Sequence, residues 1–269
     1  MIMMKKFHKI VKRLKKKIKS AVKKSKVKKQ KKQEKNVINE SSKIAIKIPF
    51  IGSKVKPKQF EIITPDGIDI KLNFYENKNS KKGLILLPML GKTKESMDSL
   101  AQSFYKAGYN CVAVDYRGHG GSELNWQSFR SKDFANMVYD AKAAKDFLKA
   151  HKVNSIGVIG ASIGANIALN FLTMDSEVKT AIAISPGIDY RGVKVDYSIP
   201  YIKVPVLIFT SKGDNYSFVS TQHIQKLCSS PNLCIDVVEG DGHGMELLSN
   251  PKTRKHVMKK MQKWIEMFV

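Results

Sequence analysis

The residues with the clearest chemical promise are Gly160-Ala161-Ser162-Ile163-Gly164. They follow an apolar run, Ser155–Ile159, and lead into a helical pattern over 163–174. A serine on so tight a strand-to-helix turn takes a strained backbone conformation that lifts its hydroxyl clear of both elements. Strand and helix then nearly touch, so the positions two before and two after the serine must be small. Gly160 and Gly164 meet that need. The helix N-terminus beneath the hydroxyl favours developing negative charge. Such a serine is a nucleophile when a base and an orienting acid can reach it.

Downstream residues supply both. His243 lies in Glu239-Gly-Asp-Gly-His-Gly244, a glycine-rich loop between the last apolar run and the last helix. A neutral imidazole there can take the Ser162 proton and later return it to a leaving group. Of the six histidines, His8 lies in the N-terminal arm and His119 in an earlier loop. His151, His223 and His256 fall on helices or at their ends. Asp214 closes Val206-Leu-Ile-Phe-Thr-Ser-Lys-Gly-Asp214, just past a strand end, where a carboxylate can orient the imidazole. Asp189 and Asp241 compete for that role, although Asp241 is too near His243 in sequence to orient it easily. A small-residue loop ends Leu84-Ile-Leu-Leu-Pro-Met-Leu-Gly91. The backbone N–H of Leu90, or alternatively of Met89, is expected to join that of Ile163 in binding an oxyanion.

These loops need a frame, and the apolar pattern provides one. Phe60–Thr64 and Ile68–Phe74 flank Pro65-Asp66-Gly67, which reads as a β-hairpin. Strands are expected at Leu84–Leu87, Asn110–Asp115, Ser155–Ile159, Thr180–Ser185, Val204–Thr210 and Leu233–Val238. An earlier short strand is expected around Ile44, Ile46 and Ile48. Helices are expected at 93–107, 131–150, 163–174, 217–228 and 245–268. Apolar strands alternating with helices give an α/β fold: a mostly parallel sheet of roughly eight strands with helices on both faces. Ser185 to Val204 is too short for a multi-helix cap, so a minimal lid or none is expected.

The joint set of Asp115-Tyr-Arg-Gly-His-Gly-Gly-Ser122, Gly160-Ala-Ser-Ile-Gly164, Gly213-Asp214 and Gly242-His243-Gly244 resembles the α/β-hydrolase family over residues 59–268. Serine, then acid, then histidine is that family's chain order. The resemblance implies esterase or lipase-like chemistry through an acyl-enzyme, on a small-molecule ester, with no cofactor. It implies a bracing role for Asp115 and Arg117, which removes His119 from the catalytic set. Pro88-Met89 departs from the His-Gly that many members carry at the oxyanion loop. An acyltransferase or thioesterase with the same triad, and a noncatalytic hydrolase-like binding protein, are the rival readings.

Charge divides the chain. Residues 1–36 hold 16 Lys, Arg13 and one acid, Glu34: a net +16 of the chain's +25. Met3, Phe7, Ile10, Val11, Leu14, Ile18, Ala21 and Val22 recur at helical spacing among the lysines. A helix so patterned can lie on an anionic membrane. A solvated inert tail and a contact with a polyanion such as nucleic acid are the other readings; no aromatic platform supports nucleic acid. The expected division is 1–42 for arm and linker and 43–269 for the hydrolase domain. No run approaches the length of a membrane-spanning helix, and lysines interrupt any secretory signal pattern. Three cysteines, Cys111, Cys228 and Cys234, do not form a disulfide framework, and no cluster has metal-ligand spacing. A cytoplasmic location is expected, peripheral on the inner membrane surface if the arm binds there. Oligomeric state is not legible.

Overall fold

The computed structural model describes residues 54–269. The basic arm and the expected strand at Ile44–Ile48 lie outside the described residues. The described chain opens on the hairpin: β1 (Lys58–Ile63) and β2 (Asp69–Tyr75) pair antiparallel, with Lys58 opposite Phe74. Gly67 takes φ +84°, a left-handed turn conformation that favours glycine. The Ile68 N–H donates to Thr64 Oγ1 at 2.9 Å and closes the turn.

β3 (Lys82–Leu87), β4 (Asn110–Val114), β5 (Ser155–Ala161), β6 (Val178–Ile184), β9 (Val206–Ser211) and β10 (Leu233–Val238) complete an eight-stranded sheet. Its spatial order is β1-β2-β4-β3-β5-β6-β9-β10. β2 pairs antiparallel with β4, and every pair beyond β4 is parallel. The chain leaves β3 for one neighbour, β4, and returns past it to the other, β5. That reversal makes a switch point, where the strands' C-terminal loops diverge and leave a crevice.

Helices cover both faces. Ile85 and Leu87 face α3 (Val138–Ala150) and α4 (Ile163–Met174), whereas Leu84 and Leu86 face α1 (Asp98–Lys106) and α7 (Pro251–Phe268). This alternation within one uniformly apolar strand is what burial on both sides requires. The Trp264 indole N–H donates to Thr180 Oγ1 at 2.7 Å and ties α7 to β6.

Two expected helices are each broken. Residues 131–150 form α2 (Ser131–Ala135) and α3, joined by i→i+3 hydrogen bonds from Met137 to Phe134, Tyr139 to Asn136 and Asp140 to Met137. A three-residue repeat turns Phe134, Met137 and Asp140 inward together, and all three are buried. Residues 245–268 form α6 (Glu246–Ser249) and α7, with Asn250-Pro251 between them. Proline lacks the N–H that a continuing helix needs, and Asn250 caps α7 by accepting from the Lys252 N–H at 3.0 Å. α5 (Asn215–Leu227) follows β9.

Between β6 and β9 the chain forms a hairpin of two-residue strands, β7 (Asp189–Tyr190) and β8 (Val193–Lys194), and a 3-10 turn at Ile199–Tyr201. This matches the expected minimal lid. Among the described residues, no helix is long and apolar enough to cross a membrane.

Candidate active site

Ser162 stands between β5 and α4 at φ +56° and ψ −122°. The steric reason is visible at its flanks. A Cβ on Gly160 would drive into the Gly164 carbonyl, and one on Gly164 would meet the backbone oxygens of Leu87 and Pro88. Strand and helix therefore touch backbone to backbone, and the serine at the bend has no relaxed conformation to adopt. The Ser162 N–H donates to the Ile184 carbonyl at 2.9 Å, which ties the bend to β6.

His243 lies in the loop after β10, and three hydrogen bonds hold that loop in place. Ser211 Oγ donates to the Gly242 carbonyl at 2.7 Å, Gly213 N–H to the Gly240 carbonyl at 2.7 Å and Gly244 N–H to Ser185 Oγ at 2.9 Å. Glu246 accepts from the His243 N–H at 2.9 Å. Asp214 ends the β9 loop and caps α5, its Oδ1 accepting from the Ser217 N–H at 3.4 Å.

These three side chains, up to 81 residues apart, meet in one line. His243 Nε2 lies 2.8 Å from Ser162 Oγ, and His243 Nδ1 lies 2.6 Å from Asp214 Oδ2. A carboxylate can only accept, so Nδ1 carries the proton and Nε2 is left to accept from the serine hydroxyl. Ser162 is 8% exposed, whereas the His243 side chain is 31% exposed.

The competitors for the acid are elsewhere. Asp189 Oδ1 accepts from the Gly192 N–H at 2.6 Å, inside the β7–β8 turn. The backbone of Asp241 packs against Gly213.

Leu90 sits in a turn after β3, closed by Lys92 N–H donating to the Met89 carbonyl at 3.1 Å, with Gly91 at φ +69°. Ile163 is the first residue of α4, so its N–H has no acceptor within the helix. Contact of Gly164 with the end of β3 brings these two segments together. Met89 meets the histidine loop through its side chain, its Sδ lying against Gly244.

The polar residues of Asp115–Ser122 serve as braces. Asp115 accepts from the Lys94 N–H, Lys94 Nζ and the Gly121 N–H at 2.6, 2.7 and 3.1 Å. Arg117 grips Asp66 through both terminal nitrogens, at 2.6 and 2.7 Å, and reaches Asp140 through its backbone N–H and Nε at 2.8 Å each. His119 is buried; its Nδ1–H donates to the Arg117 carbonyl at 3.0 Å and its ring stacks on Trp126. Burial pushes its pKa down.

Four further residues near Ser162, His243 and Asp214 are absent from the sequence reading. The Tyr190 ring stands edge-on to the His243 imidazole, with centroids 6.2 Å apart. Burial pushes its hydroxyl up to about 12, and the Ser217 and Ser162 hydroxyls pull the other way. Tyr216 packs edge-on against Tyr190. Ser185, at φ +52°, holds the histidine loop, and Ser217 braces Asp214. Only Ser217 left a signal: Asp214-x-x-Ser217 has the spacing of a helix N-cap and its third residue.

The described fold has counterparts among solved structures. An esterase of Pyrococcus furiosus, Pf2001, superposes with a TM-score of 0.70 at 21% identity, over 84% of this chain and 98% of the other. The α/β hydrolase GrgF from Penicillium sp. sh18 gives a TM-score of 0.70 at 15% identity, over 80% and 99%. These likenesses are of fold. In sequence, an uncharacterized protein of Rickettsia prowazekii is 31% identical over 122 residues, 45% of this chain and 48% of that protein. The acyltransferase drtE of Aspergillus calidoustus is 30% identical over 141 residues, 51% of this chain and 45% of that protein. The chain spans about half the length of these curated relatives. The model of the serine aminopeptidase S33 hydrolases matches residues 78–234, more than half of the chain, and the protein belongs to that family of α/β hydrolases.

Proposed function

We propose that this chain is a serine hydrolase that cleaves carboxylic esters, with Ser162 as nucleophile, His243 as general base and acid, and Asp214 as orienting acid. The observation that carries the reading is the unbroken hydrogen-bonded line from Asp214 through His243 to a strained serine. His243 Nε2 takes the hydroxyl proton as Ser162 Oγ attacks the ester carbonyl. The backbone N–H groups of Ile163 and Leu90 receive the oxyanion, and the N-terminus of α4 favours the same charge. Nε2–H then protonates the alkoxy oxygen, the alcohol departs and the acyl group stays on Ser162. Water, deprotonated by His243, releases the acid. No cofactor enters these steps. Only the short β7–β8 hairpin and a 3-10 turn separate β6 from β9, an arrangement without a multi-helix cap that favours small or exposed acyl esters.

A fluorophosphonate probe tests this directly, because it reacts only with an activated serine. The wild-type chain is expected to be labelled and Ser162→Ala to be unlabelled. That variant, with an unchanged melting transition, is expected to lose ~10⁴-fold or more in kcat on p-nitrophenyl esters of graded acyl length. Ester turnover retained by the folded variant would overturn the assignment.

The similarity to an acyltransferase supports a second reading, in which an alcohol or thiol replaces water in the last step. Partition of the acyl group between water and added acceptors decides between them. Amino-acid p-nitroanilides in the same screen cover the amide chemistry that the family description names.

Residues 1–36 fit a peripheral anchor on an anionic membrane, with their apolar stripe in the acyl boundary. Phosphatidylglycerol-containing liposomes are expected to sediment the full chain but not a chain lacking residues 1–36. High salt should release it.

A further inference from the structure

An aromatic face stands open beside His243, and ester cleavage as such does not require it. Tyr190 sets its ring edge-on to the imidazole. Its hydroxyl donates to the Ser185 carbonyl at 3.2 Å and lies 3.0 Å from Ser217 Oγ. Tyr216, two residues past Asp214, meets the Tyr190 ring at 5.4 Å between centroids. The Tyr216 hydroxyl accepts from the Asp189 N–H at 3.0 Å and donates to the Asp189 carbonyl at 2.6 Å. Both rings press on Gly187, where a Cβ would fall 2.6 Å from Tyr216 and 2.8 Å from Tyr190. Despite these ties, Tyr216 is 48% exposed, and Val219, one turn further along α5, is 55% exposed.

A tyrosine pinned at its hydroxyl by two backbone bonds has already given up its rotamer freedom. An apolar group that stacks on it therefore meets a pre-organised surface. Tyr216 and Val219 are three residues apart on α5, so they share a face and extend the strip outward from Tyr190.

The chemistry says which half of a substrate lies there. In the acylation step the protonated Nε2 of His243 gives its proton to the ester's alkoxy oxygen as the carbon–oxygen bond breaks. The free alcohol leaves, and the acyl group remains on Ser162. The departing alcohol must therefore sit on the imidazole's side of the serine. On that side Tyr190 stands against the imidazole with Tyr216 packed on it, whereas the proposed oxyanion donors belong to the β3 loop and α4.

We infer that Tyr190, Tyr216 and Val219 form a leaving-group subsite that selects esters of flat, apolar alcohols of the benzyl type over esters of short alkyl alcohols. The inference rests on the triad reading above.

The test compares benzyl acetate, cyclohexylmethyl acetate and ethyl acetate, which share one acyl group, on the full chain. Wild type is expected to favour the benzyl ester in kcat/KM over both others. Tyr216→Ala is expected to lower benzyl ester turnover about threefold to tenfold more than ethyl ester turnover, the size of an aromatic pair. Tyr216→Phe keeps the ring and should keep most of the preference. Val219→Ser leaves both tyrosines in place and should selectively weaken turnover of 4-propylbenzyl acetate, whose tail reaches further along α5. Equal losses on benzyl and ethyl esters, or a change in preference between acetate and butyrate instead, would overturn the subsite. Fluorophosphonate labelling separates the two failures. A labelled wild type with no benzyl preference defeats the subsite alone, whereas an unlabelled wild type defeats the triad and the subsite with it.

Discussion

Two loops at the same edge of the sheet are built by opposite physics. The bend at Ser162 is positioned by what its neighbours lack: Gly160 and Gly164 let backbone press on backbone. The loop at Asp115–Ser122 is positioned by charge. The Asp115 carboxylate takes three N–H donors, and the Arg117 guanidinium spends three nitrogens on two carboxylates. The bend carries one polar side chain, Ser162, and the charged loop carries several. In the charged loop, however, the carboxylates and the guanidinium are committed to the protein, so those groups have little left to offer a substrate. In the glycine-built bend the serine hydroxyl is tied to His243 Nε2, a partner able to take its proton. A polar group saturated by the fold is a brace, and one held in place by sterics is free to react.

The largest effect that tests this contrast falls on Asp214, the one member of the line whose side chain caps a helix. Asp214→Asn should keep the cap and the fold, yet present the wrong hydrogen-bonding partner to Nδ1. A loss in kcat of about 10⁴ is expected. A loss under tenfold would mean that the carboxylate only caps α5. Gly164→Ala comes next. Its methyl would meet the Pro88 oxygen at 2.6 Å, and backbone on both sides cannot easily retreat. A shift of the serine by about 1 Å should cost about 10²-fold in kcat/KM, together with a lower melting temperature. Full activity there would show that the bend tolerates slack. Arg117→Met should do the reverse. It strands the buried Asp140 carboxylate and should cost about 3–5 kcal/mol in denaturant unfolding. The kcat of the folded fraction should stay within about threefold of wild type, because the guanidinium braces rather than reacts.

The same contrast explains what could be read in advance. The bend is a local steric problem solved by five consecutive residues, so Gly160-Ala-Ser-Ile-Gly164 was legible, as was the hairpin around Asp66-Gly67. The convergence of Asp214 and His243 on Ser162 was legible through chain order and their places after strand ends. The break between α2 and α3 was not. It exists so that Asp140 can face Arg117, 23 residues away in sequence, and no local propensity encodes that. Pro251 did carry its own warning of the second break. Tyr190, Tyr216 and Ser185 were invisible because their roles arise where the β6, β9 and β10 loops converge. A positive φ at Ser185 has no signature in residue type.

Arg117 of the charged loop also predicts a pH dependence of opposite sign on its two carboxylate partners. Asp66 is an exposed residue with a partly covered side chain, and hydrogen bonding to Arg117 holds its pKa below the ordinary aspartate value. A pKa depressed in the fold gives stability that is present above the unfolded value and lost as pH falls through the folded one. Asp140 is fully buried, and burial pushes its pKa up to about 6 against the pull of Arg117. There the native state holds its proton more tightly than the unfolded chain does, so stability declines as pH rises from near 4 towards 6. The stability of wild type minus that of Asp140→Asn should therefore fall across that window, by roughly 3 kcal/mol at most. The difference between wild type and Asp66→Asn should instead fall as pH drops below about 4. Urea unfolding at pH steps from 3 to 8 measures both differences. If the Asp140 difference rose between pH 4 and 6, the guanidinium would outweigh burial at that carboxylate, and the brace would be a fully ionic one.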